Sequence, residues 1–210
     1  MTMPATALSV EQNNPILVPA LPWMSDEELR LFWQSIPKGG VCLEFGMGGS
    51  TRLFFARGAS VLYSVEGDLS YIETVCDDTL LKAKIVAGCF FPIYANIGRV
   101  KEWSNPLGQP DSSWLAYHHK IWEKIPAKSL DFTLIDGRFR LACALQCFLR
   151  CRQNNVYLIH DFTTRPEYHL VLKYADIMEQ AGSSVLLKRR ARSNYKKMAL
   201  DLLNEQFAPL

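Results

Sequence analysis

Acidic residues stand where four buried apolar runs end, and types at such positions can bind or react. Glu44 sits in Val41-Cys42-Leu43-Glu44-Phe45, just before the turn Gly46-Met47-Gly48-Gly49. Glu66 closes Val61-Leu62-Tyr63-Ser64-Val65, Asp136 follows Leu130–Ile135, and His160-Asp161 follow Val156–Ile159. A carboxylate at Glu66 can accept both hydroxyls of a ribose, and glycines let the backbone come close to a ligand. Asp136 and Asp161, brought together by neighbouring strands, can organise an acceptor, with His160 as a general base. Arg138 and Arg140 flank Phe139 and suit a carboxylate or phosphate on that acceptor, or an ion pair with Asp136 or Asp161. Capping aspartates and a buried hydrogen-bonding histidine are the structural alternative.

These residues need a parallel sheet to hold them. Val41–Phe45 reads as the first strand, Ser50–Arg57 as a helix stopped by Gly58, and Val61–Val65 as the second strand. Strand, glycine turn, helix, strand and acid make the layout of a nucleotide-cofactor site in a βαβ unit. Ser25-Asp26-Glu27-Glu28 forms a capping box for a helix to about Ile36. Further along, the pattern predicts a helix over 70–84, a strand over Phe91–Asn96, a strand over Leu130–Ile135 and a helix over 141–152. A strand over Val156–Ile159, a helix over 166–180 and a closing hairpin of Ser184–Lys188 with Met198–Leu203 complete it. The expected fold class is therefore α/β, a Rossmann-like, mostly parallel sheet flanked by helices with a C-terminal antiparallel hairpin. Residues 1–22 read as an N-terminal arm and 23–210 as one domain, with 98–128 as a substrate-side insertion rich in aromatics. Aromatics that simply bury one another are the other reading of that insertion.

The acid before the glycine turn, the glycines within it and the acid after the next strand resemble the class I S-adenosylmethionine (SAM)-dependent methyltransferases. The I-D-G phrase Ile135-Asp136-Gly137 and the H-D pair His160-Asp161 are similar to signatures of uncharacterised bacterial methyltransferase-like proteins and, more distantly, of macrocin-type sugar O-methyltransferases. The resemblance implies a SAM-dependent methyltransferase, acting on a hydroxyl of a small-molecule or sugar-like acceptor. It implies that Glu66 and the backbone of Gly46, Gly48 and Gly49 bind SAM, that Glu44 holds the turn or the methionine amino group, and that Asn96 meets the adenine. Asp136 and Asp161 would be ligands of a Mg²⁺ ion that activates the hydroxyl. Phe139 stands where the signature often has histidine, and His160 where relatives show a second acid, which leaves a metal-free route through His160 open. A non-catalytic SAM-binding or regulatory protein is one alternative. An NAD-dependent enzyme is another, although Thr51 takes the third position of G-x-G-x-x-G.

Composition narrows the field. A chain of 210 residues that is 49% hydrophobic suits one α/β core. A net charge of +2 makes no general case for nucleic acid, and the Lys188–Arg192 run reads as a solvated turn. No apolar run is long enough for a bilayer, and no basic-then-apolar leader precedes the first helix. A cytoplasmic protein with reduced thiols is expected, and a homo-oligomer is compatible with the sequence. Cys143, Cys147 and Cys151 share one helical face and read as buried packing. His118 and His119 diverge on a helix and do not share a zinc ion; His119 is a candidate to face the substrate.

Overall fold

A computed structural model describes residues 18–209, so most of the expected N-terminal arm lies outside the described residues. In chain order the elements are α1 (Asp26–Ser35), β1 (Val41–Phe45), α2 (Gly49–Arg57), β2 (Val61–Glu66), α3 (Leu69–Cys76), α4 (Thr79–Val86) and β3 (Phe90–Tyr94). The two-residue strands β4 (Val100–Lys101) and β5 (Asn105–Pro106) follow, then α5 (Leu115–His118), β6 (Phe132–Ile135), α6 (Arg140–Arg150) and β7 (Val156–Ile159). The chain ends with β8 (Ala175–Ala181), β9 (Ser184–Arg189) and α7 (Tyr195–Glu205).

The main sheet has seven strands in the order β3-β2-β1-β6-β7-β9-β8. Its first five are parallel, and β9 joins β7 antiparallel. That order differs from the all-parallel 3-2-1-4-5-6 arrangement of dinucleotide-binding folds, which weakens the NAD alternative. Alternation across the sheet separates two apolar layers: Leu43, Phe45 and Tyr157 face α6, while Cys42, Leu62 and Leu158 face the side of Phe32 and Phe54. Cys143, Cys147 and Cys151 are buried in the first layer as expected, and burial pushes the thiols of Cys143 and Cys147 up. Pro92 lies within β3, an edge strand, where its missing N–H costs no central ladder bond.

Three expected elements differ. The helix over 70–84 is two helices, because Asp78 caps α4 through Leu81 N at 3.1 Å and so starts a new axis. The helix expected over 166–180 is a 3₁₀ segment, Pro166–Lys173, followed by β8. The hairpin is therefore β8–β9 about Gly182-Ser183, and not Ser184–Lys188 with Met198–Leu203. Pairing to β9 overrides the local preference of Ala175–Ala181, which leaves Ile177 and Met178 exposed on the outer edge. Met198–Leu203 belongs to α7, where Met198 and Leu202, four residues apart, are both buried. The basic run thus ends β9 and leads into α7 instead of forming a hairpin tip.

The capping box of α1 forms as expected, and Glu28 does more than cap. Its carboxylate accepts from Ser25 N at 2.7 Å, Ser183 N at 2.8 Å and Ser183 Oγ at 2.5 Å, joining α1 to the β8–β9 turn. Burial alone raises its carboxyl, but the Ser183 and Ser25 hydrogen bonds outweigh it and hold the pKa at about 2, below its ordinary 4.5. That stabilisation is complete above pH 4.5 and is lost as pH falls through about 2. Urea denaturation of Glu28→Ala is expected to show a loss of about 2 kcal/mol at neutral pH, from the cap and the turn together. The deficit relative to the parent should shrink as pH is lowered below 4.5.

Candidate functional site

The strand register sets the acids level. Phe45 pairs with Val65 and Ile135, and Ile135 pairs with Ile159, so Gly46, Glu66, Asp136 and His160 all emerge in one row at the C-terminal edge of the sheet. In open α/β sheets this edge is where ligands bind.

Glu44 supports the glycine turn from beneath. It is fully buried and accepts from Thr51 Oγ1 at 2.8 Å, Ser64 Oγ at 2.6 Å and the Ser50 hydroxyl. Thr51 Oγ1 in turn accepts from Gly48 N at 3.0 Å. Burial outweighs the hydroxyl donors and pushes the Glu44 carboxyl up to about 7. Of its two expected roles, the structure displays the one that holds the turn. Gly46 has φ +91°, and a Cβ there would stand 2.7 Å from the Gly137 backbone, so the turns after β1 and β6 meet only as glycines. The Tyr117 hydroxyl covers the same contact and accepts from Arg138 N at 3.3 Å.

Glu66 is buried, and its Oε1 accepts from Gly67 N at 2.6 Å, Asp68 N at 3.2 Å and the Ser104 hydroxyl. Burial raises its carboxyl above the ordinary range. Ser104 and the preceding Trp103 both have positive φ, 53° and 61°, an unusual conformation for such residues. Trp103 meets Trp23 edge-on at 4.7 Å, although the two are 63% and 70% exposed. The Leu21–Pro22 backbone lies so close to Gly49 that a Cβ there would come within 2.4 Å of the Leu21 carbonyl carbon. The segment before α1 and the insertion therefore close as a clasp over the glycine turn and Glu66. Asn96 is exposed, and its Oδ1 accepts from Gly98 N at 3.1 Å, the turn-forming geometry. Asp68 caps α3.

At the other end of the row, Asp136, His160 and Asp161 do converge, with one candidate ligand atom each within 4.8 Å of one another. Arg140 converges with them. Only 4% of it is exposed, and it donates to Gly137 O at 3.0 Å, His160 O at 2.5 Å, Asp136 O at 3.2 Å and Asp161 Oδ2 at 3.0 Å, with Asp136 Oδ1 also at 3.2 Å. A guanidinium bridging both carboxylates supplies the positive charge that Mg²⁺ was expected to bring, and a divalent ion beside it would be repelled. The donor set does not fit the metal. Of the two expectations for Arg140, substrate binding or an ion pair with the aspartates, the structure displays the ion pair.

His160 donates from Nδ1 to Asp136 Oδ1 at 2.8 Å, and its Nε2 stands 3.7 Å from Glu28 Oε1. Burial pulls its pKa down, but the Asp136 hydrogen bond and the charges of Asp136 and Asp161 outweigh this and hold it above the ordinary imidazole value. The ring is thus buried, with Nδ1 held by Asp136 and Nε2 turned toward Glu28. His119 also falls outside the row. It is exposed and accepts from Gln146 Nε2 at 3.1 Å on the flank of α6. Its neighbour His118 is buried and donates to Gln206 O at 2.9 Å. Phe139, with φ 54°, packs against Trp114, Tyr117 and His118, so much of the insertion buries its own aromatics while Trp103-Ser104 serves the clasp.

Several participants carry no individual sequence signal: Ser64, Ser104, Tyr117 and Glu28 reach the site from distant elements. Ser50 and Thr51 had one, being hydroxyls directly after a glycine turn that follows a buried acid.

No family model and no curated protein matches the sequence. Among solved structures, a methyltransferase-like protein from Silicibacter pomeroyi is similar over 91% of this chain and 100% of its own, with 22% identity and a TM-score of 0.72. A ribosomal protein L11 methylase from Lactobacillus delbrueckii is similar over 86% of this chain and 91% of its own, at 15% identity and a TM-score of 0.50. These likenesses establish a Rossmann-like methyltransferase fold. No helix among the described residues is long and apolar enough to cross a membrane.

Replacing Arg140 with Met should cost about 3 kcal/mol, the low end for removing one partner of a buried pair, because Asp161 keeps part of its surface in water. The Arg140 charge also lowers the His160 pKa, so an NMR titration should find His160 still higher in the variant. In the parent, the His160 contribution is complete below pH 6.5 and is lost as pH rises through the raised value.

Proposed function

We propose that this chain is a SAM-dependent methyltransferase that methylates a hydroxyl of a small-molecule or sugar-like acceptor. One observation carries the cofactor: Glu66 ends the strand next to the Gly46–Gly49 turn, in a fold shared with methyltransferase-like proteins. There it can accept the ribose hydroxyls, while Gly46, Gly48 and Gly49 present backbone to the methionine end and Asn96 offers its amide to the adenine edge. Asp136, His160 and Asp161 shape the acceptor side through the rigid wall they make with Arg140. Catalysis then rests on placing the hydroxyl in line with the sulfonium methyl, excluding water and passing the hydroxyl proton to neutral His160 as S-adenosylhomocysteine leaves. A cytoplasmic setting suits cysteines held free in the core.

SAM entry requires the clasp to open, since the Ser104 hydroxyl already occupies Glu66 as a ribose hydroxyl would. A second reading, a non-catalytic SAM-binding protein, is favoured by the same clasp and by the engagement of His160 and both aspartates with Arg140 and Glu28.

Calorimetry with SAM on the full chain tests the cofactor assignment. Glu66→Ala should weaken binding at least about tenfold, and Ser104→Ala should tighten it by about the same factor, the scale of one charge-assisted hydrogen bond. Absence of SAM binding in the parent and in Ser104→Ala would end the assignment. Tight binding without methyl release from SAM across hydroxyl acceptors would favour the non-catalytic reading.

A further inference from the structure

Arg138 is the charge that the internal network leaves over. Arg140 is committed to Asp136 and Asp161, and His160 stands between Asp136 and Glu28. Arg138 takes part in no ion pair among the described residues, and its Nε is buried without a hydrogen-bond partner. Arg138 is half-buried, and a guanidinium partly withdrawn from water without an anion carries a cost that a negatively charged ligand would relieve.

Two further groups point the same way. Arg165, in the loop after β7, reaches an acid only at 4.0 Å, to Asp161 Oδ2. Its guanidinium stands 6.0 Å from the centre of the Tyr168 ring, with that of Arg140 at 5.9 Å. Tyr168 is 1% exposed, and its hydroxyl also lacks a hydrogen-bond partner. Burial, together with the like charges of Arg140 and Arg165, holds the Arg138 guanidinium below its ordinary pKa, which an anion would relieve. Arg140 and Arg165 thus reach the aspartates at the ends of β6 and β7, and Arg138 is left without one.

We propose that Arg138 and Arg165, with the Tyr168 hydroxyl, bind the oxyanion of the acceptor, a phosphate or carboxylate group, at the C-terminal ends of β6 and β7. The planar fork of arginine suits either geometry. Naming the ligand an acceptor rests on the methyl-transfer reading; the anion site itself does not.

The test is an arginine Nε–H NMR titration of the full chain with inorganic phosphate and, separately, acetate, at ionic strength held constant with chloride. A saturable shift at Arg138 is expected with at least one of them. Response to phosphate alone assigns a phosphorylated acceptor, and response to acetate alone a carboxylate. Arg138→Lys keeps the charge but loses the fork, and should weaken binding at least about tenfold. Tyr168→Phe should weaken it too, without lowering the thermal midpoint, because the hydroxyl removed is buried and unpartnered. The proposal falls if neither anion moves the Arg138 resonance at tens of millimolar, or if the Arg165 Nε–H titrates in Arg138→Lys as it does in the parent. Anion binding without SAM binding would refute the methyltransferase reading and leave this site standing; SAM binding without anion binding would do the reverse.

Discussion

A buried guanidinium has to find acceptors for its donors and an anion for its charge, and Arg140 meets both needs at the ends of two strands. Its acceptors are carbonyls of Asp136, Gly137 and His160 and the carboxylates of Asp136 and Asp161. The turn after β6, the turn after β7 and the start of α6 are thereby fixed together. Phe139 and Asp161, adjoining these contacts, both have positive φ. Conformations of this kind persist only where the surroundings over-determine them, at a cost of roughly 1–3 kcal/mol each.

That arrangement governs what the sheet edge can do. Asp136 and Asp161 are satisfied by Arg140 within the protein, and His160 is shared between Asp136 and Glu28 of α1. Arg140 and His160 tie the three carboxylates of that wall together. In the proposed methyl transfer, recognition then falls to Arg138 and Arg165 for the acceptor and to Glu66 for the cofactor. Glu66 is itself engaged by Ser104, whose positive-φ backbone adjoins the Trp23–Trp103 contact.

The glycine turn follows a similar logic. Glu44 is fully buried and costs desolvation, which the hydroxyls of Ser50, Thr51 and Ser64 offset only in part. Thr51, the residue that breaks the dinucleotide pattern, passes this support to Gly48 N. The turn is thus shaped by the strand below it.

Local pattern alone determined the parallel core: the apolar runs of β1, β2, β6 and β7, the capping box of α1, the αL stop at Gly58 and the convergence of Glu66, Asp136 and His160 along one edge. Each follows from neighbours in sequence or from the register that parallel pairing imposes. Tertiary structure decided the rest. Ala175–Ala181 is a strand because β9 offered it a partner, and Met198–Leu203 is helical because α6 offered an apolar face. Asp136 and Asp161 belong to Arg140 and not to a metal because the guanidinium reaches both, and His119 points at Gln146 and not at the site. Partner choice among charged side chains depends on distances across the fold, which spacing along a chain does not encode.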